Sequence, residues 1–277
     1  MMNLREKRIA FLGAGSMAEA IIAGMTAKQI VSADRIIATN HSNKERLTEL
    51  ENKYGIRTSQ SKKDVVSQSD IIILAMKPKD IQPAITEIKQ YLSESKIVVS
   101  LLAGISTRYM EQLIGLRNAV VRVMPNTSAM IGQSATTITA GRYATISTVG
   151  LIKQLMTSIG TTTLIEEEQM DAYTALAGSA PAFYYYMVEA MEKFVEEQGL
   201  HKETAMPLMA QTIKGVAEML ATTSEAPATL RKKITSPGGT TEAGLKTLAQ
   251  HEFQQAVIAC LEQTTKRSKE LREMFEK

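Results

Sequence analysis

Near the start of the chain, the apolar run Ile9-Ala10-Phe11-Leu12 breaks on Gly13-Ala14-Gly15-Ser16-Met17-Ala18 and passes straight into an amphipathic stretch over residues 19–28. A buried strand that turns through glycine into a helix restricts the fold more than any other feature of the sequence. In this pattern Gly13 permits the tight turn and Gly15 lets the backbone approach a pyrophosphate. Ala18 is small enough for close helix and sheet packing, and the helix N-terminus supplies N–H groups with a positive dipole end. The motif carries weight because a strand precedes it and a helix follows. It predicts a bound dinucleotide contacted by Gly13, Ala14, Gly15, Ser16, Met17 and Ala18.

Residues 8 to about 164 keep the same rhythm. Short apolar runs, Ile36-Ile37-Ala38, Ile71-Ile72-Ile73-Leu74, Ile97-Val98-Val99 and Val120-Val121-Arg122-Val123, alternate with helical stretches such as residues 44–52. Runs this short and this rich in β-branched residues are what strands buried on both faces look like. Their alternation with helices predicts an α/β fold whose parallel sheet is covered on both sides.

The second run leads into Asn40-His41-Ser42-Asn43-Lys44, where enzymes that use NAD usually place Asp or Glu for the ribose hydroxyls. No carboxylate stands there. An acid would repel a 2′-phosphate, whereas Asn40, Ser42 and Lys44 offer donors and His41 adds charge when protonated. The expected cofactor is therefore NADPH, with NADH as a weaker alternative. The same loop caps the next helix through Ser42 or Asn43, which is compatible with cofactor binding. Beyond Leu74, Ala75-Met76-Lys77-Pro78 puts a lysine at the carboxyl end of a strand, where ligands bind in open α/β sheets, and Pro78 suits the first turn of a helix. Asn126, just past the strand ending at Val123, has an equivalent position and reads as a cofactor contact or an Asx turn.

Past residue 166 the strand signal stops. Leu176, Ala180, Phe183, Met187, Met191 and Phe194 recur at helical spacing, as do Met206, Met209, Ile213, Val216 and Leu220. These stripes exceed what one small helical domain can bury alone, which predicts that part of them packs against a second copy of the chain, plain core being the other reading of the Met-rich stripe. Residues 222–227 read as an interhelix loop. With 32 Lys plus Arg against 29 Asp plus Glu, the basic residues interspersed with acids, a nucleic-acid partner is not expected. The single Cys260 and the scattered His41, His201 and His251 give no support to a disulfide or a metal site. No run of about 18 apolar residues marks a membrane span, and the opening residues carry no apolar signal region, so a cytoplasmic protein is expected.

The most distinctive stretch is Ser236-Pro237-Gly238-Gly239-Thr240-Thr241, a turn set between two helical segments. Its glycines allow close backbone approach, and Thr240 or Thr241 can cap the following helix, whose N-terminus favours a carboxylate. An interhelix turn without any ligand accounts for it equally well on local physics. Taken with the GAGxMA turn, Ala75-Met76-Lys77-Pro78 and Leu176-Ala177-Gly178-Ser179-Ala180-Pro181-Ala182, it resembles the 1-pyrroline-5-carboxylate reductases over nearly the whole chain. The resemblance implies an N-terminal Rossmann-type doubly wound sheet, residues 1–162, followed by an all-α dimerisation and substrate-binding domain, residues 163–277. It implies reduction of 1-pyrroline-5-carboxylate to L-proline, the last step of proline biosynthesis, by a homodimer or higher homo-oligomer. The family's carboxylate-holding loop falls on Ser236, Gly238, Gly239 and Thr240, and its threonine near the imine nitrogen on Thr241. A family acid at the domain junction falls on Glu167, and His41 stands where many members carry arginine.

Hydride transfer to a protonated imine asks less of a strong acid than carbonyl reduction does. That fits loops that hold no Lys, His, Asp or Glu before Glu242. A β-hydroxyacid dehydrogenase, the nearest alternative architecture, would need a basic lysine after the junction, and residues 171–191 contain none. A protein that binds NADPH as a sensor without turnover would leave the Ser236–Thr241 loop without a role.

Overall fold

The computed structural model describes residues 3–276. Four of the apolar runs form strands in which every residue is buried: β1 (Ile9–Leu12), β2 (Ile36–Thr39), β4 (Ile71–Leu74) and β5 (Ile97–Ser100). With β3 (Arg57–Thr58), β6 (Ala119–Met124), β7 (Ser134–Ala140) and β8 (Gly160–Leu164) they build one eight-stranded sheet of order β3-β2-β1-β4-β5-β6-β7-β8. All pairings are parallel except β6 with β7, where a short connection reverses the chain. The expected parallel, doubly wound sheet is present, with this one antiparallel ladder added.

Side chains alternate between the two faces with the strand period of two. Ile9, Phe11, Ile71 and Ile73 pack on one side beneath α1 (Ser16–Ala27), α2 (Lys44–Tyr54) and α6 (Ile146–Met156). Ala10, Leu12, Ile72 and Leu74 pack on the other, beneath α3 (Lys62–Ser67), α4 (Ile81–Ile88) and α5 (Thr107–Ile114). The chain therefore winds helices over both faces. Between β1 and β4 it changes direction along the sheet, and a crevice opens at the strand ends there.

The remainder is helical. A short α7 (Met170–Tyr173) passes into a π-helical segment, Thr174–Ser179, and then α8 (Ala180–Glu197), α9 (Lys202–Thr222), α10 (Pro227–Lys233), α11 (Thr240–Gln250) and α12 (Phe253–Phe275). Packing divides the chain into two compact units, one of residues Met1–Pro181 with Glu262–Lys277 and the other of residues Ala182–Leu261. The change in element type near residue 164 and this packing division fall at different places, because the end of α12 returns to the first unit. There Asp171, only 2% exposed, accepts a hydrogen bond from Ser268 Oγ at 2.7 Å and pairs with Arg272 at 3.1 Å.

The second unit has little interior of its own. No residue of α9, α10 or α11 is buried. Tyr186, Leu208 and Val216 are 77%, 64% and 57% exposed. Cys260 is half-buried. Among the described residues no helix is long and apolar enough to cross a membrane, and no group of three His, Cys, Asp or Glu side chains is arranged to hold a metal ion.

Candidate active site

The turn after β1 is held by backbone hydrogen bonds on both sides: Gly13 N–H donates to Thr39 at 2.8 Å, and Ala75 N–H donates to Leu12 at 2.9 Å. Gly13 has φ +116°, and a Cβ there would lie 2.4 Å from the Ala75 carbonyl oxygen. Only glycine fits. Gly15 differs: its φ is −76°, and nothing lies within 4 Å of where a Cβ would be. That open space above the first turn of α1 is what a pyrophosphate needs, so the residues present fit a dinucleotide.

A cavity of about 740 Å³ extends from this turn across the ends of β1, β2 and β4. Of the residues expected at the cofactor, Gly13, Ala14, Gly15, Ser16 and Met17 line it from α1, Asn40 and His41 from β2, and Ala75, Met76 and Lys77 from β4. Ala18 is 1% exposed in the core, in keeping with close helix packing. Pro78 opens a 3₁₀ turn, Pro78–Asp80. Ser42, Lys44, Pro78 and Asn126 lie outside the cavity lining, whereas Lys62, Lys79, Asp80, Pro83 and Glu87 are part of it. No local pattern identifies these last residues, since each is an ordinary polar or turn residue on α3, α4 or the turn before α4.

The β2–α2 loop is tightly organised. The Asn40 amide donates to the Asn43 carbonyl at 2.6 Å and accepts from Asn43 N–H at 3.0 Å, and Asn43 caps α2 by accepting from Arg46 N–H at 2.9 Å. Arg46 Nε donates to the Ala14 carbonyl at 3.0 Å, tying the glycine turn to α2. Its guanidinium also pairs with Glu19, which further accepts from Lys53 at 2.9 Å and Tyr54 at 2.8 Å. These contacts, above all the bond from Arg46, bring the Glu19 carboxyl down from 4.5 to about 2.

Near the carboxyl end of β6, Arg122 is 1% exposed and its Nη1 lies 2.6 Å from Glu167. The Glu167 carboxylate also accepts from Thr107 N–H at 3.2 Å and Thr107 Oγ1 at 2.8 Å, so it is fully engaged within the first unit. Asn126 has a similar occupation. It accepts from Ser128 N–H at 3.1 Å, as an Asx turn, and its amide donates at 3.0 Å to the Ala177 carbonyl in the π-helical segment. Segments of this kind recur at functional sites.

In the second unit, Ser236, Thr240 and Thr241 are exposed around the N-terminus of α11. The expected threonine cap is corrected here: Gly239 takes the cap position in extended conformation with no side-chain bond, so α11 begins at Thr240. The hydroxyls of Thr240 and Thr241 are left outside the capping role. Gly239 N–H donates to the Ser236 carbonyl at 3.0 Å, closing the turn, and Gly238 N–H donates to the Glu242 carboxylate at 2.9 Å. The first N–H groups of a helix have no intrahelical acceptor, and with the dipole they suit an anion.

Comparison with known proteins adds to this geometry. A family profile described as pyrroline-5-carboxylate reductase dimerisation matches residues 167–271, and one described as NADP oxidoreductase coenzyme F420-dependent matches residues 8–104. Pyrroline-5-carboxylate reductase 2 of Bacillus subtilis is 46% identical, over 97% of this chain and 96% of the relative. The solved pyrroline-5-carboxylate reductase of Coxiella burnetii superposes with a TM-score of 0.88 at 34% identity, covering 96% of this chain and 98% of that one. The Plasmodium falciparum pyrroline carboxylate reductase, solved with NADP bound, has a TM-score of 0.88 at 28% identity, covering 97% and 99%.

Proposed function

The chain belongs to the pyrroline-5-carboxylate reductase family, and from that premise we propose that it reduces 1-pyrroline-5-carboxylate to L-proline with NADPH, accepting NADH less well. The observation that carries this reading is a family match running through both the glycine turn and the Ser236–Thr241 loop. Residues 1–162 serve as the dinucleotide-binding domain and residues 163–277 as the dimerisation and substrate-binding domain.

The reduced nicotinamide supplies the hydride that the imine carbon accepts. The chain's own share of the work is binding and positioning. Gly13 to Met17 and the β4 end at Ala75–Lys77 hold the dinucleotide, supported by the open space at Gly15. Ser236 and the N–H groups of Gly238 and Thr240 hold the substrate carboxylate, the Gly238 N–H passing to it from Glu242, while Gly239 shapes the loop around it through its bond to the Ser236 carbonyl. Thr241 hydrogen-bonds the ring nitrogen, which is protonated when the carbon is reduced. Glu167 is the further substrate-binding residue of this reading, its carboxylate oriented by its bonds to Thr107 and Arg122.

The working form is a homodimer or a larger homo-oligomer in the cytoplasm. Support for assembly comes from the uncovered apolar side chains of α8 and α9 and from the family profile over residues 167–271. The lone Cys260 suits a reducing compartment. The test follows nicotinamide absorbance with purified protein, with and without 1-pyrroline-5-carboxylate. Substrate-dependent oxidation of NADPH is expected, with Thr241→Ala slowing turnover and sparing cofactor affinity. Cofactor binding without turnover would overturn the reading.

A further inference from the structure

Lys62, the first residue of α3, lines the cofactor cavity together with Asn40 and His41 at the end of β2. Its side chain is 20% exposed, and its ammonium lies 2.5 Å from Glu87 on α4, a carboxylate in the same lining. Apart from the His41 ring and the buried Thr39 hydroxyl, which share the lining, other polar groups near the end of β2 have partners or lie outside the cavity. Asn40 is bound to Asn43, the Arg46 guanidinium to Glu19, Glu49 and the Ala14 carbonyl, and Ser42 and Lys44 are not in the lining. In sheets of this order the adenosine ribose lies beside the end of the second strand. Lys62 is thus a cation facing the region where a 2′-phosphate distinguishes one dinucleotide from the other.

Resting on the functional reading above, we propose that Lys62 discriminates a 2′-phosphorylated dinucleotide from an unphosphorylated one, and that Glu87 opposes it. An ammonium has three donors, so Lys62 serves a phosphate while keeping one bond to Glu87. The phosphate adds nearly two negative charges, which Lys62 attracts and Glu87 repels. Without the phosphate, the ion pair closes on itself and neither residue matters to affinity. The two residues therefore have effects of opposite sign, and only on the phosphorylated ligand. A plain staple between α3 and α4 behaves otherwise: losing either partner loosens the same contact, whatever the ligand carries.

The experiment is titration calorimetry of the full chain with NADP⁺ and with NAD⁺, for wild type, Lys62→Met, Glu87→Gln and the double variant, with melting curves to monitor the fold. Lys62→Met weakens NADP⁺ about tenfold, equivalent to ~1.4 kcal/mol, and leaves NAD⁺ within about twofold. Glu87→Gln tightens NADP⁺, the double variant falls between the two single variants, and added salt shrinks the NADP⁺ differences. Equal weakening of both ligands by Lys62→Met, no weakening of either, or weaker NADP⁺ binding by Glu87→Gln overturns the proposal. Should Lys62→Met not fold, Lys62→Gln takes its place with the same expected result. A wild type that binds both ligands equally sinks this proposal and leaves the reductase reading intact. A wild type that selects NADP⁺ yet shows no turnover with 1-pyrroline-5-carboxylate does the reverse.

Discussion

Two glycines two residues apart in the β1–α1 turn should respond to alanine in opposite ways. At Gly13 the added Cβ meets the Ala75 carbonyl oxygen at 2.4 Å and its carbon at 2.6 Å, both backbone atoms, and the φ of +116° is one that alanine resists. Backbone strain and overpacking together cost about 3–5 kcal/mol. At ~2–4 °C per kcal/mol for a chain of this size, Gly13→Ala should melt roughly 10 °C below wild type. At Gly15 the conformation is ordinary and the space is empty, so Gly15→Ala should keep its melting temperature or gain slightly through a less flexible unfolded chain. The methyl group, however, fills the cradle left for the pyrophosphate. Loss of the close backbone contacts should weaken NADPH by at least ~30-fold, about 2 kcal/mol. The assays are differential scanning fluorimetry at fixed protein concentration and a fluorescence titration with NADPH. If Gly15→Ala binds NADPH within about twofold of wild type, or melts as low as Gly13→Ala, the assignment of the cradle to Gly15 fails.

Three further outcomes follow from other parts of the fold. Glu19 has its folded carboxyl lowered from 4.5 to about 2, so it contributes stability above pH 4.5 that is lost as the pH falls toward 2. After allowance for solvent screening, Glu19→Gln should lower stability at pH 7 by ~1 kcal/mol. In urea titrations the gap should close near pH 2–3, and a gap independent of pH would refute the carboxylate's role. Asp171→Asn leaves Arg272 half-partnered and should cost ~2 kcal/mol, with faster hydrogen exchange in the last turns of α12; unchanged exchange there would count against it. Val216→Asp places a charge on an apolar side chain that a second copy is expected to cover, raising the dimer dissociation constant at least ~30-fold by sedimentation. Association as strong as wild type would remove α9 from the interface.

How much of this the sequence disclosed depends on which physical signal each element leaves. β1, β2, β4 and β5 are buried along their whole length, and their uninterrupted Ile, Val and Leu runs could be read directly. β7 and β8 are built mostly from serine and threonine, Ser134-Ala135-Thr136-Thr137-Ile138-Thr139-Ala140 and Gly160-Thr161-Thr162-Thr163-Leu164. β-branched threonine suits a strand, but it does not mark burial, so these strands and the antiparallel ladder stayed hidden. β3, two residues long, has no periodicity to detect. The glycine turn was legible because its chemistry is contiguous. Lys62 and Glu87 were not, since two solvent-type residues on separate helices meet only once the sheet has formed. The partnerships of Asn126 with Ala177 and of Glu167 with Thr107 and Arg122 are likewise facts of three-dimensional packing.

The return of α12 to the first unit carries a consequence for biosynthesis. The β-sheet strands are all made by residue 164, yet the segment from Glu262 that packs with them is translated only after the whole second unit. Leu271 and Arg272 approach Gly104 so closely that a Cβ there would sit 3.3 Å from both, and Phe275 joins the core beneath α4 and α5. A chain emerging from the ribosome therefore exposes that seam while the whole second unit is being made. Sealing it requires contacts between residues more than 150 apart, whose loop-closure cost slows folding. During that interval Gly104 and the buried carboxylate of Asp171 lack the α12 partners that cover them in the finished fold.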